Sequence, residues 1–277
     1  MPELPQMQAL AERIALALTG AAIEAIDPIH FSALKTVSPA PAIVVGTPLE
    51  GVGRRGKYLI LDAPRARVLV HLSQGGRLVF ESPAKRTRPK HGVVRFRFDR
   101  DPALFVREYG TERKAAWWVL APGDDGPLRR LGPEPSDEAF GAYVRTSDDT
   151  RRVHTILRDQ QTVAGIGRGY ADDALHRARL SPYATLASLD AAERARLLEA
   201  IDGVLADALA KERTRTGGLP PTLSDHFTVH ALYGQPCPIC ADDLRRVSYE
   251  SHEVTYCPTC QTKGKVLADR RMSRLIR

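Results

Sequence analysis

The hydrophobic pattern of the first half of the chain changes from a helical period to short runs of β-forming residues. Residues 9–18 (ALAERIALAL) have the spacing and composition of a helix, which Gly20 ends. Four short apolar runs follow, separated by Gly, Pro or charged turns: KYLILDA, ARVLVHLS, GRLVFES and GVVRFRFD. This order predicts a β-rich first domain over residues 1–121, either a sandwich or a flattened barrel.

The second half of the chain returns to a helical period. A Pro- and Gly-rich segment that begins at Ala121 predicts a linker over residues 122–135. A helical domain is predicted over residues 136–230 because four segments carry the helical period: DEAFGAYVR, TRRVHTILRDQQ, YADDALHRARL and LDAAERARLLEAIDGVLADALAKE. Within it, TRTGGLPPTLSDHF breaks the period and predicts a loop. Residues 231–277 form a third region.

Composition and charge add information about partners and location. The 277 residues are 43% hydrophobic and 26% charged, which is typical of a globular protein with two medium-sized domains. No apolar run approaches the roughly 18 residues of a membrane span, and the N-terminus lacks the order of a signal peptide, so we expect a cytoplasmic protein. The net charge is +6 over residues 1–135, −4 over 136–260 and +5 over 261–277. Such basic ends fit either a polyanionic partner or solvated charged faces.

All four cysteines of the chain lie in one short window, as Cys237-Pro-Ile-Cys240 and Cys257-Pro-Thr-Cys260. Two CxxC pairs at this spacing favour a structural zinc ribbon, because four thiolates satisfy tetrahedral Zn²⁺ without leaving an open position. A pair of disulfides is disfavoured in a cytoplasmic protein, and a redox dithiol lacks a thioredoxin-like context. The sequence therefore predicts a Cys₄ zinc site.

A glycine pair precedes one of the predicted helices. Gly165 and Gly167 bracket a single residue just before the segment YADDAL. Such a turn can present backbone N–H groups and the positive end of the helix to a phosphate. A tight turn between two helices has the same signature, and the two readings stay open on the residues alone.

Five motifs in order resemble the formamidopyrimidine-DNA glycosylase/endonuclease VIII family. They are the opening PELP, the segment RRGKYL, the linker LGPEP, the segment ILRDQQTVAGIGRGYADDAL and the terminal cysteine pairs. The resemblance implies an α+β multidomain fold: an N-terminal β-sandwich, a helix-two-turn-helix domain for DNA binding and a zinc ribbon. It also implies removal of damaged bases followed by strand cleavage, by a nucleoid-associated monomer. The segments GTERKAAWWVL and QTKGKVLADRRMSRLIR are most similar to a less well defined branch.

The same resemblance implies which residues are catalytic and which contact DNA. Pro2, exposed by removal of Met1, would be the nucleophile, because an α-amino group with a pKa near about 8 supplies more neutral amine at pH 7 than a lysine does. Glu3 would act as the general acid and proton shuttle, and Lys57 would contact the phosphate beside the lesion. DNA contacts are implied for His71, Gln74, His91, Gly167, Arg168, Tyr170 and His252.

Several positions depart from the familiar pattern. Gln6 and Gln8 stand where many members have glutamate, and Gln74 stands where a methionine usually fills the gap left by the flipped nucleotide. Arg168 replaces an asparagine and His252 replaces an arginine that grips phosphate. The segment REYGTERK is interpreted as lacking the Arg-x-Phe pair that contacts the opposite strand.

These departures leave alternatives beside the predicted activity. The prediction is a DNA glycosylase with AP lyase activity that acts on damaged DNA, with weak preference for the opposite base. The first alternative is a DNA-damage binding protein that has kept the scaffold and lost turnover. A structural zinc-ribbon interaction module is the more distant one.

Overall fold

A computed structural model describes residues 1–109, 113–223, 227–249 and 252–268. These residues divide into two compact units, one of Met1–Arg130 with Leu209–Leu223, the other of the described parts of Leu131–Ala208 and Ser224–Arg277. Residues 209–223, which the sequence pattern places in the helical domain, have their contacts within the first unit. Among the helices of the described residues, none has the length and apolar character of a membrane-spanning segment.

The first unit is a β-sandwich with one helix. Helix α1 (Leu4–Leu18) buries its apolar face, including Leu10, Ile14 and Leu18. The strands are β1 (Ile23–Pro28), β2 (Gly51–Arg55), β3 (Tyr58–Ala63), β4 (Ala66–His71), β5 (Gly76–Glu81), β6 (Gly92–Phe98), β7 (Ala103–Glu108) and β8 (Ala116–Leu120). One antiparallel sheet has the order β1-β6-β7-β5 and the other β2-β3-β4-β8.

The alternation of each strand explains the core of this unit. Leu59 and Leu61 of β3, and Val68 and Val70 of β4, are almost fully buried in the same cluster as Trp117 of β8. Residues two apart point to the same face of a strand, so these side chains form one apolar layer. The four runs seen in the sequence are β3–β6, and the structure adds β1, β2, β7 and β8.

The second unit contains the remaining helices and a small two-stranded sheet. Its helices are α2 (Glu138–Thr146), α3 (Val153–Arg158), α4 (Arg168–Arg177) and α5 (Ala191–Arg213), whose last turns belong to the first unit. The hairpin β9 (Arg245–Tyr249) and β10 (His252–Tyr256) precedes the short helix α6 (Pro258–Thr262). The fold is therefore α+β with the predicted domain types.

Candidate active site and nucleic-acid interface

The expected nucleophile and acid lie at the start of α1. Pro2 is buried, and Glu3, 4% exposed, is the N-cap residue of the helix. The Glu3 side chain accepts from the backbone N–H of Gln6, and Gln6 Oε1 accepts from the backbone N–H of Glu3 at 3.0 Å. This reciprocal capping box fixes the backbone at Glu3 and with it the direction of the chain at Pro2.

The expected phosphate ligand lies on an adjacent hairpin turn. Gly56 and Lys57 form the two-residue turn between β2 and β3, and Gly56 supplies the left-handed φ of +54° that such a turn requires. Helix α1 packs against β2 and β3, and Arg54 Nε donates to Gln8 Oε1 at 2.9 Å. This bond brings the first turns of α1 next to the Lys57 turn. Lys57 is only 7% exposed.

His71 lies at the end of β4, opposite Tyr58 in the register of the sheet. The centres of these two rings are 4.7 Å apart. Burial, together with the nearby charge of Lys57, lowers the pKa of His71 to about 4. His71 is therefore neutral near pH 7 and offers one N–H donor and one acceptor nitrogen.

A second group of expected residues surrounds the end of β7. The exposed Gln74 lies in the turn between β4 and β5, and the next residue of this turn, Gly75, accepts from the backbone N–H of Tyr109 at 2.9 Å. The exposed His91 accepts through its carbonyl from the N–H of Glu108 at 2.9 Å. The β-sheet thus brings Gln74 and His91 to the same strand end.

This strand end also holds a feature that the sequence interpretation missed. The guanidinium of Arg107 lies 4.5 Å from the centre of the Tyr109 ring, which is 46% exposed. Arg107-Glu108-Tyr109 therefore keeps an arginine and an aromatic ring two residues apart, with tyrosine in place of phenylalanine. The buried carboxylate of Glu108 accepts from the backbone N–H groups of Lys114 and Ala115, both at 2.7 Å, which holds these two residues at the end of β7.

In the second unit, Gly167 is the N-cap of α4 and Arg168 is the exposed first residue of that helix. Gln160 braces the preceding loop, because its side chain accepts from Gly165 N at 2.9 Å and donates to Ile166 O at 2.7 Å. Gly165 has a φ of +101°, which explains the glycine there. The loop is thus a built turn that leaves the side chain of Arg168 in solvent.

Tyr170 has a different environment from the one expected for a DNA contact. Its side chain is 1% exposed, and its ring lies 5.3 Å from that of Phe227 in an edge-on arrangement. Its side chain is therefore almost fully shielded from solvent in this structure. The side chain of His252, another expected DNA contact, lies outside the described residues.

Two buried aspartates of α4 hold the segment that precedes the four cysteines. Asp172 bonds to His154 Nε2 at 3.0 Å and to His230 Nδ1 at 2.7 Å. Burial opposes ionisation of Asp172, but the hydrogen bonds with the two histidines outweigh it and lower the pKa of the carboxyl. Asp173 accepts three backbone N–H groups, those of residues 228–230, and burial raises the pKa of Asp173 to about 6.

The four cysteines converge as the spacing predicts. All four sulfurs lie within 4.8 Å of one another, and no disulfide joins them. The Sγ–Sγ distance is 3.9 Å for Cys237 and Cys260, and 3.4 Å for Cys240 and Cys257. Backbone N–H groups of Ile239 and Cys260 point at Cys237 and Cys257. The donor set and its compactness fit a tetrahedral metal ion held by four thiolates.

Comparison with known proteins agrees with this architecture. Residues 1–111 match the model of the formamidopyrimidine-DNA glycosylase N-terminal domain, and residues 131–217 match that of the formamidopyrimidine-DNA glycosylase H2TH domain. A formamidopyrimidine-DNA glycosylase of Thermus thermophilus is 32% identical over 95% of this chain and 100% of its own length. The chain belongs to the formamidopyrimidine-DNA glycosylase family. Membership assigns it to the DNA-repair glycosylases.

Two further members of this glycosylase family are similar to the chain to different degrees. An uncharacterized formamidopyrimidine-DNA glycosylase-like protein of Mycobacterium tuberculosis is 42% identical over 54% of this chain and 96% of its own length. A crystal structure of the Lactococcus lactis enzyme, non-covalently bound to DNA with an AP site, has a TM-score of 0.81 at 22% identity, covering 94% of this chain and 99% of that one. This structural likeness concerns the fold.

Proposed function

We propose that this glycosylase-family chain removes damaged bases and then cleaves the strand through a covalent intermediate on Pro2. The observation that carries the proposal is the arrangement at the start of α1, where the capping box holds Glu3 beside the residue whose amine is released when Met1 is removed. The substrate is damaged DNA, and the protein acts as a nucleoid-associated monomer.

The reaction needs one amine and one carboxyl group. The lone pair of the Pro2 nitrogen attacks C1′ of the extruded nucleotide, the C1′–N bond to the base breaks, and the departing base receives a proton. The amine gives up its own proton, the sugar ring opens, and a Pro2–C1′ iminium results. Glu3 is the group placed to supply and relay these protons.

The lyase step follows from the iminium. It withdraws electrons from C2′, so a base can remove a C2′ proton and the C3′–O bond breaks with loss of the 3′ phosphate. Hydrolysis of the imine returns the free Pro2 amine. Lys57, in the turn beside α1, is the proposed ligand of the phosphate next to the lesion, because its ammonium is a compact positive charge.

The DNA interface of the proposal combines contacts from each unit. His71, Gln74 and His91 belong to the first unit, and Gly167, Arg168 and His252 belong to the second. Arg107 and Tyr109 join the group because of their place at the end of β7. Cys237, Cys240, Cys257 and Cys260 would hold a structural zinc ion, which takes no part in the proton transfers.

The missing carboxylate at Gln6 is weak support for the alternative, an inactive damage-binding protein. The Gln6 amide oxygen accepts the capping hydrogen bond, so the amide keeps the geometry of the helix start. A binding protein would have no need of a free amine at Pro2.

The deciding experiment is reductive trapping with borohydride on DNA that contains an abasic site. We expect a covalent protein–DNA adduct whose cross-linked peptide begins at Pro2. A matched chain that retains one residue before Pro2 should give none, because its proline nitrogen is an amide. An equal yield from the blocked chain, or no adduct from the native one, would remove the lyase proposal and favour the binding protein.

Glu3→Gln should slow base removal more than cleavage at a preformed abasic site, because departure of the base depends most on the acid. Glu12→Gln, a change of the same kind on α1 at a residue paired with Arg213, is the control. Equal loss in both reactions would show that Glu3 only caps the helix.

A further inference from the structure

A buried histidine of α4 lies against one of the four clustered cysteines. His176 Nε2 is 3.3 Å from Cys237 Sγ, and the two residues are 1% and 3% exposed. They are 61 positions apart in the chain, so the contact exists only through the packing of α4 on the ribbon. The four-cysteine pattern does not include this histidine.

The chemistry of a metal-bound thiolate determines the direction of this hydrogen bond. A thiolate has no proton and can only accept, so the imidazole must donate its Nε2–H to Cys237 Sγ. An N–H···S bond withdraws charge from the sulfur and holds it in one orientation. Partners of this kind, which touch the ligand rather than the metal, contribute strongly to metal affinity.

The contact is one of several polar links between the same helix and the ribbon. Asp172 accepts from the backbone N–H of Thr255 at 3.1 Å. Beyond the end of α4, Leu180 O accepts from Gln261 Nε2 at 2.8 Å, and Gln261 Oε1 accepts from Cys257 N at 2.8 Å. Each CxxC pair is therefore linked to the α4 region, the first through His176 and the second through Gln261.

We propose that His176 is a positioning residue of the zinc site, donating a hydrogen bond to the Cys237 thiolate and coupling metal occupancy to α4. The inference rests on the proposed zinc site. It is tested by how firmly the protein retains the metal, and that measurement does not depend on base excision.

The test compares zinc release from purified full-length protein to a chromogenic chelator. His176→Phe keeps a buried ring and removes the donor, so we expect release at least about tenfold faster than in the wild type. His176→Gln retains an N–H donor toward the sulfur, so its release rate should lie well below that of His176→Phe and within about threefold of the wild type. His30→Gln alters a histidine of the first unit that contacts Ser32, and it should leave release near the wild-type rate.

Cobalt substitution supplies a second readout. Loss of a hydrogen bond to sulfur should move the sulfur-to-cobalt charge-transfer band of His176→Phe to lower energy, and His176→Gln should restore it. Wild-type release and an unchanged band in folded His176→Phe would overturn the inference and leave packing as the role of the ring.

Two measurements on the wild type distinguish failure of the His176 inference from failure of the proposed zinc site. Nitrogen-15 spectra of the zinc-loaded protein should show His176 with its proton on Nε2, and a proton on Nδ1 alone would overturn the inference even if His176→Phe fails to fold. Metal analysis that finds no zinc in the purified protein would refute the zinc site itself.

Discussion

At the scale of single residues, amides replace carboxylates at the start of α1 without loss of the local hydrogen bonds. Gln6 Oε1 accepts from Glu3 N, and Gln8 bridges Arg54 and Glu12 at 2.9 Å each. A side-chain amide has one acceptor and two donor hydrogens, so Gln8 can serve both a guanidinium and a carboxylate. The change removes negative charge near Pro2 while the geometry is kept.

Gln74 and the Arg107–Tyr109 stack lead to a prediction about the opposite strand. A polar amide fills a gap in stacked bases poorly, and the Arg107 guanidinium is already engaged with a ring. We expect the rates for one processed lesion opposite each of the four bases to differ by less than about a hundredfold, which is about 2.8 kcal/mol. Unpaired or single-stranded lesions should be cleaved better.

The measurement is a set of single-turnover rates on these five substrates, repeated with Arg107→Ala. The variant should abolish what preference remains, because a bidentate arginine contact is worth about 1 to 3 kcal/mol of discrimination. A preference above a hundredfold in the wild type, retained in Arg107→Ala, would mean that another residue reads the opposite base.

His71 predicts acid sensitivity of the first unit. The pKa of His71 falls from 6.5 to about 4 on folding. Between pH 6.5 and 4, His71 is therefore protonated in the unfolded chain and still neutral in the folded chain. The free energy of unfolding should therefore fall as pH decreases from 6.5 to 4, by up to about 3 kcal/mol from this residue. In His71→Phe, which keeps a ring against Tyr58, this component should be absent.

Urea unfolding at pH 7 and 4.5, followed by tryptophan fluorescence, measures the effect. The chain has two tryptophans, Trp117 and Trp118, both on β8, so the signal reports the first unit. Identical pH dependence in the wild type and His71→Phe would contradict the assignment.

At the scale of elements, the segment after α5 is held to the sandwich by two arginines, the buried Arg77 and the partly buried Arg13. Arg77 Nε donates to the carbonyls of Pro220 and Pro221 at 3.0 and 3.1 Å, and Arg13 Nε donates to Gly217 O at 2.8 Å. Leu219 N also donates to Leu78 O of β5 at 2.7 Å. Residues 214–221, which the sequence predicts as a loop, therefore form an ordered strap. The two guanidinium groups donate hydrogen bonds to backbone carbonyls of this strap, which belong to no helix or sheet.

Gly218→Ala should detach this strap. A Cβ at position 218 would lie 2.2 Å from Leu78 O and 2.8 Å from Val79 Cα, which are backbone atoms of β5 and cannot move aside cheaply. We expect destabilisation of about 1 to 3 kcal/mol and faster proteolysis within the strap. Gly53→Ala, where an added Cβ meets nothing within 4 Å, should leave both unchanged.

At the scale of the whole molecule, the division into two units predicts separable unfolding. The ribbon cysteines and α4 lie in the second unit, and both tryptophans lie in the first. Cys257→Ser should open the metal site, lower DNA affinity and leave the tryptophan transition of the first unit in place. Thr259→Ser, in the same CxxC pair but not a metal ligand, should keep metal and affinity.

Zinc content, DNA binding and fluorescence-detected unfolding test this together. Full DNA affinity in metal-free protein would refute a role for the ribbon in binding. Loss of the tryptophan transition in Cys257→Ser would instead show that the two units unfold as one.

The sequence by itself determined the features that depend on local chemistry. The Cys₄ cluster follows from two CxxC spacings, and the helices follow from the apolar period. Four of the eight sandwich strands were readable because their apolar runs are compact and bounded by turn residues. Because strand-type runs fill the first half of the chain and helical periods fill much of the second, the sequence also indicates the two domain types.

Only the tertiary structure decided which distant residues meet. Strands β1 and β8 pair with strands far away in the chain, β6 and β4, and the local pattern does not show which partner each strand receives. The burial of Tyr170 against Phe227 and the contact of His176 with Cys237 join residues that are far apart in the chain. The sequence pattern shows which face of a helix or strand is apolar. Which other element packs against that face depends on the tertiary structure.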